Sequence, residues 1–219
     1  MSEINFEQAR FNMIEQQIRT WEVLDQSVLD LIARTPREDF VPPPYRNLAF
    51  TDVRIPLGKG QVMMNPNMEG RLLQSLAIEP SDRILEVGTG SGYLTACLAQ
   101  LGLSVLSVDI FPEFTQSASQ KLTAHGITNV RLCTGDAAYD WDTQRYDVIA
   151  ITGSLPVLPN SWRQRLTIDG RLFVIVGEAP IMEALLIVRV SEKEWTEESL
   201  FDTELPALIN AHKPPAFEF

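Results

Sequence analysis

The sequence predicts an α/β fold, a doubly wound and mostly parallel sheet carrying an N-terminal helical extension. Three observations predict it. From residue 83 onward, short apolar runs alternate with stretches of helical spacing. A glycine cluster, "EVGTGSGY" at 86–93, follows the first of those runs and opens a helix. Acids close two later runs, Asp109 after "SVLSV" and Asp136 after "NVRLCTG".

The extension comes first. Ile14, Ile18 and Trp21 recur at helical spacing on one face, and Val28, Leu29, Leu31 and Ile32 on another, with Asp25 placed to cap the second helix. The stretch "TPREDFVPPPYRNLAFTDVRIPLGKGQ" is rich in Pro and Gly and has no period. It reads as an irregular but packed segment that buries Phe40, Val41, Tyr45, Leu48 and Phe50. "NPNMEGRLLQSLAI" returns to helix, with Met68, Leu72, Leu73 and Leu76 on one face.

The alternating region follows. "RILEVG" is a buried strand, "GYLTACLAQLG" a helix, "SVLSVDI" a strand, "FTQSASQKLTAHGI" a helix and "NVRLCTGD" a third strand. "YDVIAITGS" is a fourth strand, "PNSWRQRLTIDG" a helix and turn, and "GRLFVIVGE" a fifth strand. "EALLIVRVS" and "WTEESLFDTEL" are closing strands at one edge. Strands alternating with helices imply parallel pairing, hence a Rossmann-like sheet. Without an internal repeat or low-complexity linker, residues 1–219 read as one domain, with 1–80 packed on a core formed by 81–219.

The formal net charge is −11, with acids spread along the chain and no basic run, which argues against nucleic acid or an anionic membrane as partner. The N-terminus lacks the basic start and apolar stretch of a signal peptide. No window reaches the ~18 unbroken apolar residues of a membrane span. Cys97 and Cys133 stand apart among apolar neighbours and read as buried reduced thiols, consistent with cytoplasm. His125 and His212 are distant and no Cys-x-x-Cys occurs, so no metal is expected.

In a doubly wound sheet, ligands bind beyond the carboxyl ends of the strands, where the first loop meets a helix. Gly88, Gly90 and Gly92 form G-x-G-x-G, with Thr89 inside it, whereas the dinucleotide fingerprint wants G-x-G-x-x-G. Position 93 is Tyr, and the phosphate-cradling G-x-x-x-x-G-K-[ST] is absent. Glu86, just before the loop, repels a pyrophosphate and suits a cation. S-adenosylmethionine (SAM) carries a sulfonium and an ammonium and no phosphate. Glu86 then serves its amino-acid end, or else bonds the loop's own amides. Asp109, followed by Ile110, accepts the ribose hydroxyls, or else caps the next helix. Beyond Gly135, Asp136 accepts from the adenine amino group while the Ala137 N–H meets a ring nitrogen. Acids and a glycine loop at successive strand ends indicate a class I SAM-dependent methyltransferase, with S-adenosylhomocysteine as cofactor product.

Beyond that, the chain resembles the protein-L-isoaspartate (D-aspartate) O-methyltransferase family. The matching stretches include "ARFNMIEQQI", "VLDQSVLDLIARTPREDFVP", "AFTDVRIPLGKGQ", "LEVGTGSGYLTACLA" and "DGRLFVIVG", from about residue 8 to residue 177. The resemblance implies a protein or peptide acceptor. Its isoaspartyl carboxylate, exposed by damage to Asn or Asp, is methylated, and the ester cyclises to succinimide, which starts repair. A carboxylate is already ionised at neutral pH, so no general base is needed and alignment carries catalysis.

One departure stands out. The family typically reads Gly-Gln-Thr-Ile-Ser after the turn, its Thr and Ser lying beside the methyl donor and acceptor. Here "GQVMMNP" puts Val62 at the Thr position and Met64 at the Ser position, so both hydroxyls are gone. Gln61, Val62 and Asn65 are expected on the substrate side, with Met64 a marker of the catalytic position rather than a catalyst. Met63 and Met64 either pack around the cofactor or retune the site for another acceptor. The alternatives to isoaspartyl methylation are therefore SAM binding without turnover and methylation of another small molecule or peptide. The ending "LPALINAHKPPAFEF" differs from the family's; Pro206, Pro214 and Pro215 oppose a helix, and Phe217 and Phe219 would dock on the body or on a second subunit.

Overall fold

A computed structural model describes residues 5–213. The expectations for Pro214, Pro215, Phe217 and Phe219 lie outside the described residues.

The chain opens with α1 (Phe6–Met13), which runs on through a π-helical turn, Ile14–Ile18, and a 3-10 turn, Arg19–Trp21. Ile14 and Ile18 are buried, but Trp21 is 42% exposed, its ring meeting Phe201 edge-on at 6.3 Å, because the change of helical pitch rotates it off their face. In α2 (Gln26–Arg34), Asp25 caps the N-terminus by accepting from the Ser27 N–H. Val28, Leu29, Leu31 and Ile32 are buried, each contributing about 2 kcal/mol of transfer free energy. The Pro-rich segment buries Phe40, Val41 and Phe50 but leaves Tyr45 36% and Leu48 41% exposed, since both lie on a 3-10 stretch, Pro43–Leu48, with no buried face.

A hairpin follows, β1 (Ile55–Gly58) and β2 (Gln61–Met63), antiparallel with Ile55 opposite Met63. Next comes α3 (Pro66–Leu76), whose Met68, Leu72, Leu73 and Leu76 are buried as the spacing predicts. The main sheet contains β3 (Arg83–Val87), β4 (Ser104–Asp109), β5 (Val130–Thr134), β6 (Tyr146–Leu155), β7 (Leu166–Glu178), β8 (Ile181–Arg189) and β9 (Trp195–Asp202). Their spatial order is β5-β4-β3-β6-β7-β8-β9, parallel through β7 and antiparallel beyond it. The chain winds outward from β3 to one edge, then crosses to β6 on the other side. The switch point therefore lies between β3 and β6.

The two faces are covered unequally. Ile84, Val105, Val148 and Phe173 share one apolar cluster with α2, α3, α4 (Tyr93–Leu101) and α5 (Pro112–Ala124). Leu85, Ile149, Leu172 and Val174 face the other way, toward Trp162 on α6 (Asn160–Gln164). That helix is only five residues long, and "LTIDG", expected as its turn, is already the start of β7. Cys97 is fully buried as expected, whereas Cys133, on the edge strand β5, is only half-buried; both thiols are free. Among the described residues no helix is long and apolar enough to cross a membrane.

Candidate functional site

Beyond the carboxyl ends of β3, β4, β5 and β6 lies a cleft of about 570 Å³, counted to its open mouth. Gly88 starts its floor. With φ at +104°, it takes a backbone conformation that other residues rarely adopt, and a Cβ there would lie 2.2 Å from Thr152 Oγ1. The Thr152 hydroxyl is within bonding distance of the Val87 and Gly88 carbonyls, at 2.9 and 2.7 Å, and so locks β6 to the loop. Gly92 precedes α4, and a Cβ on it would lie 2.9 Å from that of Ala118, so its absence lets α5 approach.

Gly88, Gly90, Asp109, Ile110, Gly135, Asp136 and Ala137 line the cleft, joined on its rim by Gln61 and Val62. Asp109 Oδ2 accepts from the Gly90 N–H and Oδ1 from the Phe111 N–H, both at 2.9 Å. It thereby ties the loop to the end of β4, while Phe111 and Pro112 open α5. Burial raises the Asp109 pKa against the opposing pull of those amides. Asp136 accepts from the Ala138 N–H at 3.0 Å and from Asn210 Nδ2 at 2.7 Å.

Thr89 and Met64 face a second, smaller cavity that shares Val62, Gly88, Gly90 and Thr152 with the first. The Thr89 hydroxyl meets Ser107 Oγ at 2.6 Å. Asn65 lines neither cavity; its amide bonds Asp52 Oδ1.

Glu86 requires a correction. It is fully buried and lines neither cavity; its Oε2 accepts from Thr95 at 2.5 Å and from Ser107 at 2.6 Å. Side chains alternate along a strand, so Glu86 points with Ile84 into the helix layer rather than toward the ligand. It bonds two hydroxyls there, neither a ligand nor the loop's amides. Burial is the main cause that lifts its pKa from 4.5 to about 8. Folded protein therefore holds a proton that the unfolded chain releases, and stability falls as pH rises from 4.5 to about 8. Glu86→Gln has no proton to lose, so the melting temperature of the variant declines less over that range than the parent's. Parallel declines in a thermal scan would show the carboxyl already ionised in the fold.

The sequence reading missed Leu57, Phe111, Phe114, Thr152, Leu208 and Ile209 on the cleft wall. "ITGS" at the end of a predicted strand was a signal for Thr152, since it lies at the switch point. Leu208 and Ile209 belong to a tail that crosses the end of β6, where Ser154 exchanges backbone bonds with Pro206 and Leu208.

Among the described residues no Lys or Arg lines the cleft, while two carboxylates do. That donor set fits an adenosyl ligand of positive charge without phosphate and disfavours a pyrophosphate. Asp109 ends β4, and Asp136 lies two residues beyond the end of its neighbour β5.

The sequence model of the protein-L-isoaspartate(D-aspartate) O-methyltransferase family matches residues 8–203, reaching through β9 and past the residue 177 expected from the motifs. A protein-L-isoaspartate O-methyltransferase 2 of Marinobacter nauticus is 33% identical over 199 residues, covering 90% of this chain and 91% of its own length. A protein-L-isoaspartate O-methyltransferase 1 of Anaeromyxobacter is 40% identical over 169 residues, covering 76% and 79%. Among solved structures, a putative protein-L-isoaspartate O-methyltransferase of Plasmodium falciparum, in complex with S-adenosyl-L-homocysteine, superimposes with a TM-score of 0.77. At 18% identity, over 94% of this chain and 99% of that one, it supports the fold alone. Glycine loop, carboxylate-lined cleft and these matches agree: the chain belongs to the protein-L-isoaspartate(D-aspartate) O-methyltransferase family, SAM-dependent methyltransferases of carboxyl groups.

Proposed function

We propose that this chain methylates the isoaspartyl carboxylate of damaged protein or peptide, with Asp109 on the ribose, Asp136 and Ala137 on the adenine, and the loop 88–92 beneath the amino-acid end. The observation that supports it best is the cleft itself, lined among the described residues by two carboxylates and no cation. Bound SAM supplies an electrophilic methyl group. The chain's own task is to hold the acceptor in line and exclude water, because an ionised carboxylate needs no proton removed. On the acceptor side Val62 and Met64 give the smaller cavity apolar walls beside Thr89, Ser91, Thr152 and Glu69, and Met64 is 5% exposed.

Asp109→Asn puts an amide NH2 against one of the two N–H groups that Asp109 accepts from, those of Gly90 and Phe111, and removes a charged acceptor. It weakens S-adenosylhomocysteine binding by about 3 kcal/mol, roughly a hundredfold, measured by calorimetry. The function is tested by following labelled methyl transfer from SAM to an isoaspartyl peptide and to its normal aspartyl twin. Base-labile label on the first alone supports the proposal; cofactor binding without ester on either rules it out. Val62 and Met64 favour a second reading, in which the chain binds SAM but methylates a different, less polar acceptor. We also propose that residues 1–219 act as one domain in the cytoplasm, supported by the apolar cluster that joins Met13 to Leu205 and by the free thiols.

A further inference from the structure

The N-terminal extension reaches the acceptor side through a single side chain. Arg37 begins a short 3-10 turn, Arg37–Asp39, and is 1% exposed. Its Nε donates to Glu69 Oε2 at 2.9 Å and its Nη2 to Glu69 Oε1 at 3.3 Å, gripping a carboxylate on α3 along one edge of the guanidinium. Nη1 donates to the Ala49 carbonyl at 2.5 Å, and Nη2 also donates to the Met64 carbonyl at 2.6 Å. The guanidinium carbon lies 5.4 Å from the ring centroid of Tyr93, the residue that follows Gly92 and starts α4. One buried cation therefore touches the backbone just past β2, the helix after it and the ring that follows the glycine loop.

We propose that Arg37 is a positioning residue for methyl transfer. It holds the Met64 carbonyl, and with it residues 62–64, at a fixed distance from the glycine loop; this rests on the methyltransferase reading above. With Val62 and Met64 in place of hydroxyl residues, neither side chain offers a hydrogen bond to the acceptor, so alignment depends on where the backbone and the apolar walls stand. The strand is short: β2 has three residues and leads directly into Met64 and Asn65, whose own side-chain anchor is the bond to Asp52. Arg37 supplies the buried anchor. A lysine keeps the charge opposite Glu69, but its single ammonium cannot span a carboxylate and two carbonyls set around a planar fork.

Arg37→Lys in the full-length chain should leave the affinity for S-adenosylhomocysteine within about threefold while kcat for the isoaspartyl peptide falls on the order of 10²-fold, the loss typical of an ångström-scale misplacement. The KM for SAM stays at the parent value. Glu38→Gln is the control: it breaks the neighbouring pair, Arg10 Nη2 to Glu38 Oε1 at 2.5 Å, without touching Met64. It should lower the melting temperature and keep the parent kcat. Parent kcat in Arg37→Lys, or kcat losses that track melting temperature alike in both variants, would overturn the proposal. If Arg37→Lys does not fold, ¹⁵N NMR of the parent decides: separate, slowly exchanging Nη signals for Arg37 support a fixed fork, and averaged signals overturn it. A parent that binds S-adenosylhomocysteine yet methylates neither peptide sinks the function instead, and the NMR result still judges Arg37.

Discussion

Gly88→Ala is expected to abolish cofactor binding and to lower the melting temperature. The new Cβ would sit 2.2 Å from Thr152 Oγ1, far inside contact distance, in a backbone conformation with φ at +104°. Such a conformation alone costs a non-glycine residue of order 1–3 kcal/mol. Turning the Thr152 hydroxyl aside would forfeit its bonds to the Val87 and Gly88 carbonyls. The loop moves instead, and with it the Gly90 N–H that fixes Asp109. Calorimetry with S-adenosylhomocysteine should show a loss of at least about a hundredfold, some 3 kcal/mol. Parent affinity in a folded variant would mean that the loop does not form the floor of the cofactor site.

Val62→Thr combined with Met64→Ser should raise kcat/KM for an isoaspartyl peptide on the order of 10²-fold, the scale of one or two pre-aligned hydrogen-bond donors. Position 62 lies between the two cavities and position 64 walls the smaller one, so the restored hydroxyls point into the space beside the cofactor cleft. Stability moves the other way. Met64 is 5% exposed, and trimming it leaves a hole costing about 2–4 kcal/mol. The informative result is therefore a faster but less heat-resistant enzyme, read from initial rates below the transition. An unchanged rate would show that the acceptor is aligned without those hydroxyls.

The glycines and acids that line the cleft were legible in the sequence for a physical reason. Glycines with unusual backbone angles and acids at strand ends are local features, and parallel alternation places successive strand ends side by side. Glu86 shows the boundary of that reasoning. Its position in the motif suggested a ligand contact, while the period-two alternation that buries Ile84 on the helix side already implied that Glu86 points there too. Long-range features left no local mark. Arg37 and Glu69 are 32 residues apart, and Leu208 enters the cleft from an irregular tail. Helical spacing puts Trp21 on the face of Ile14 and Ile18, while apolar bulk puts Tyr45 and Leu48 inside. Size does not bury a residue on a turn whose pitch or rim position faces solvent. The start of β7 was hidden for a different reason, since Asp169 and Gly170 read as a turn yet lie within a strand that pairs irregularly with β6.

Titrating the purified parent chain with S-adenosylhomocysteine, and in parallel with NAD, examines the shared root of these expectations, a phosphate-free adenosyl site at the β3–β6 switch point. The account predicts one saturable site for the first ligand, no heat from the second, and loss of the first in Gly88→Ala. Silence with S-adenosylhomocysteine, or comparable binding of the dinucleotide, would contradict it.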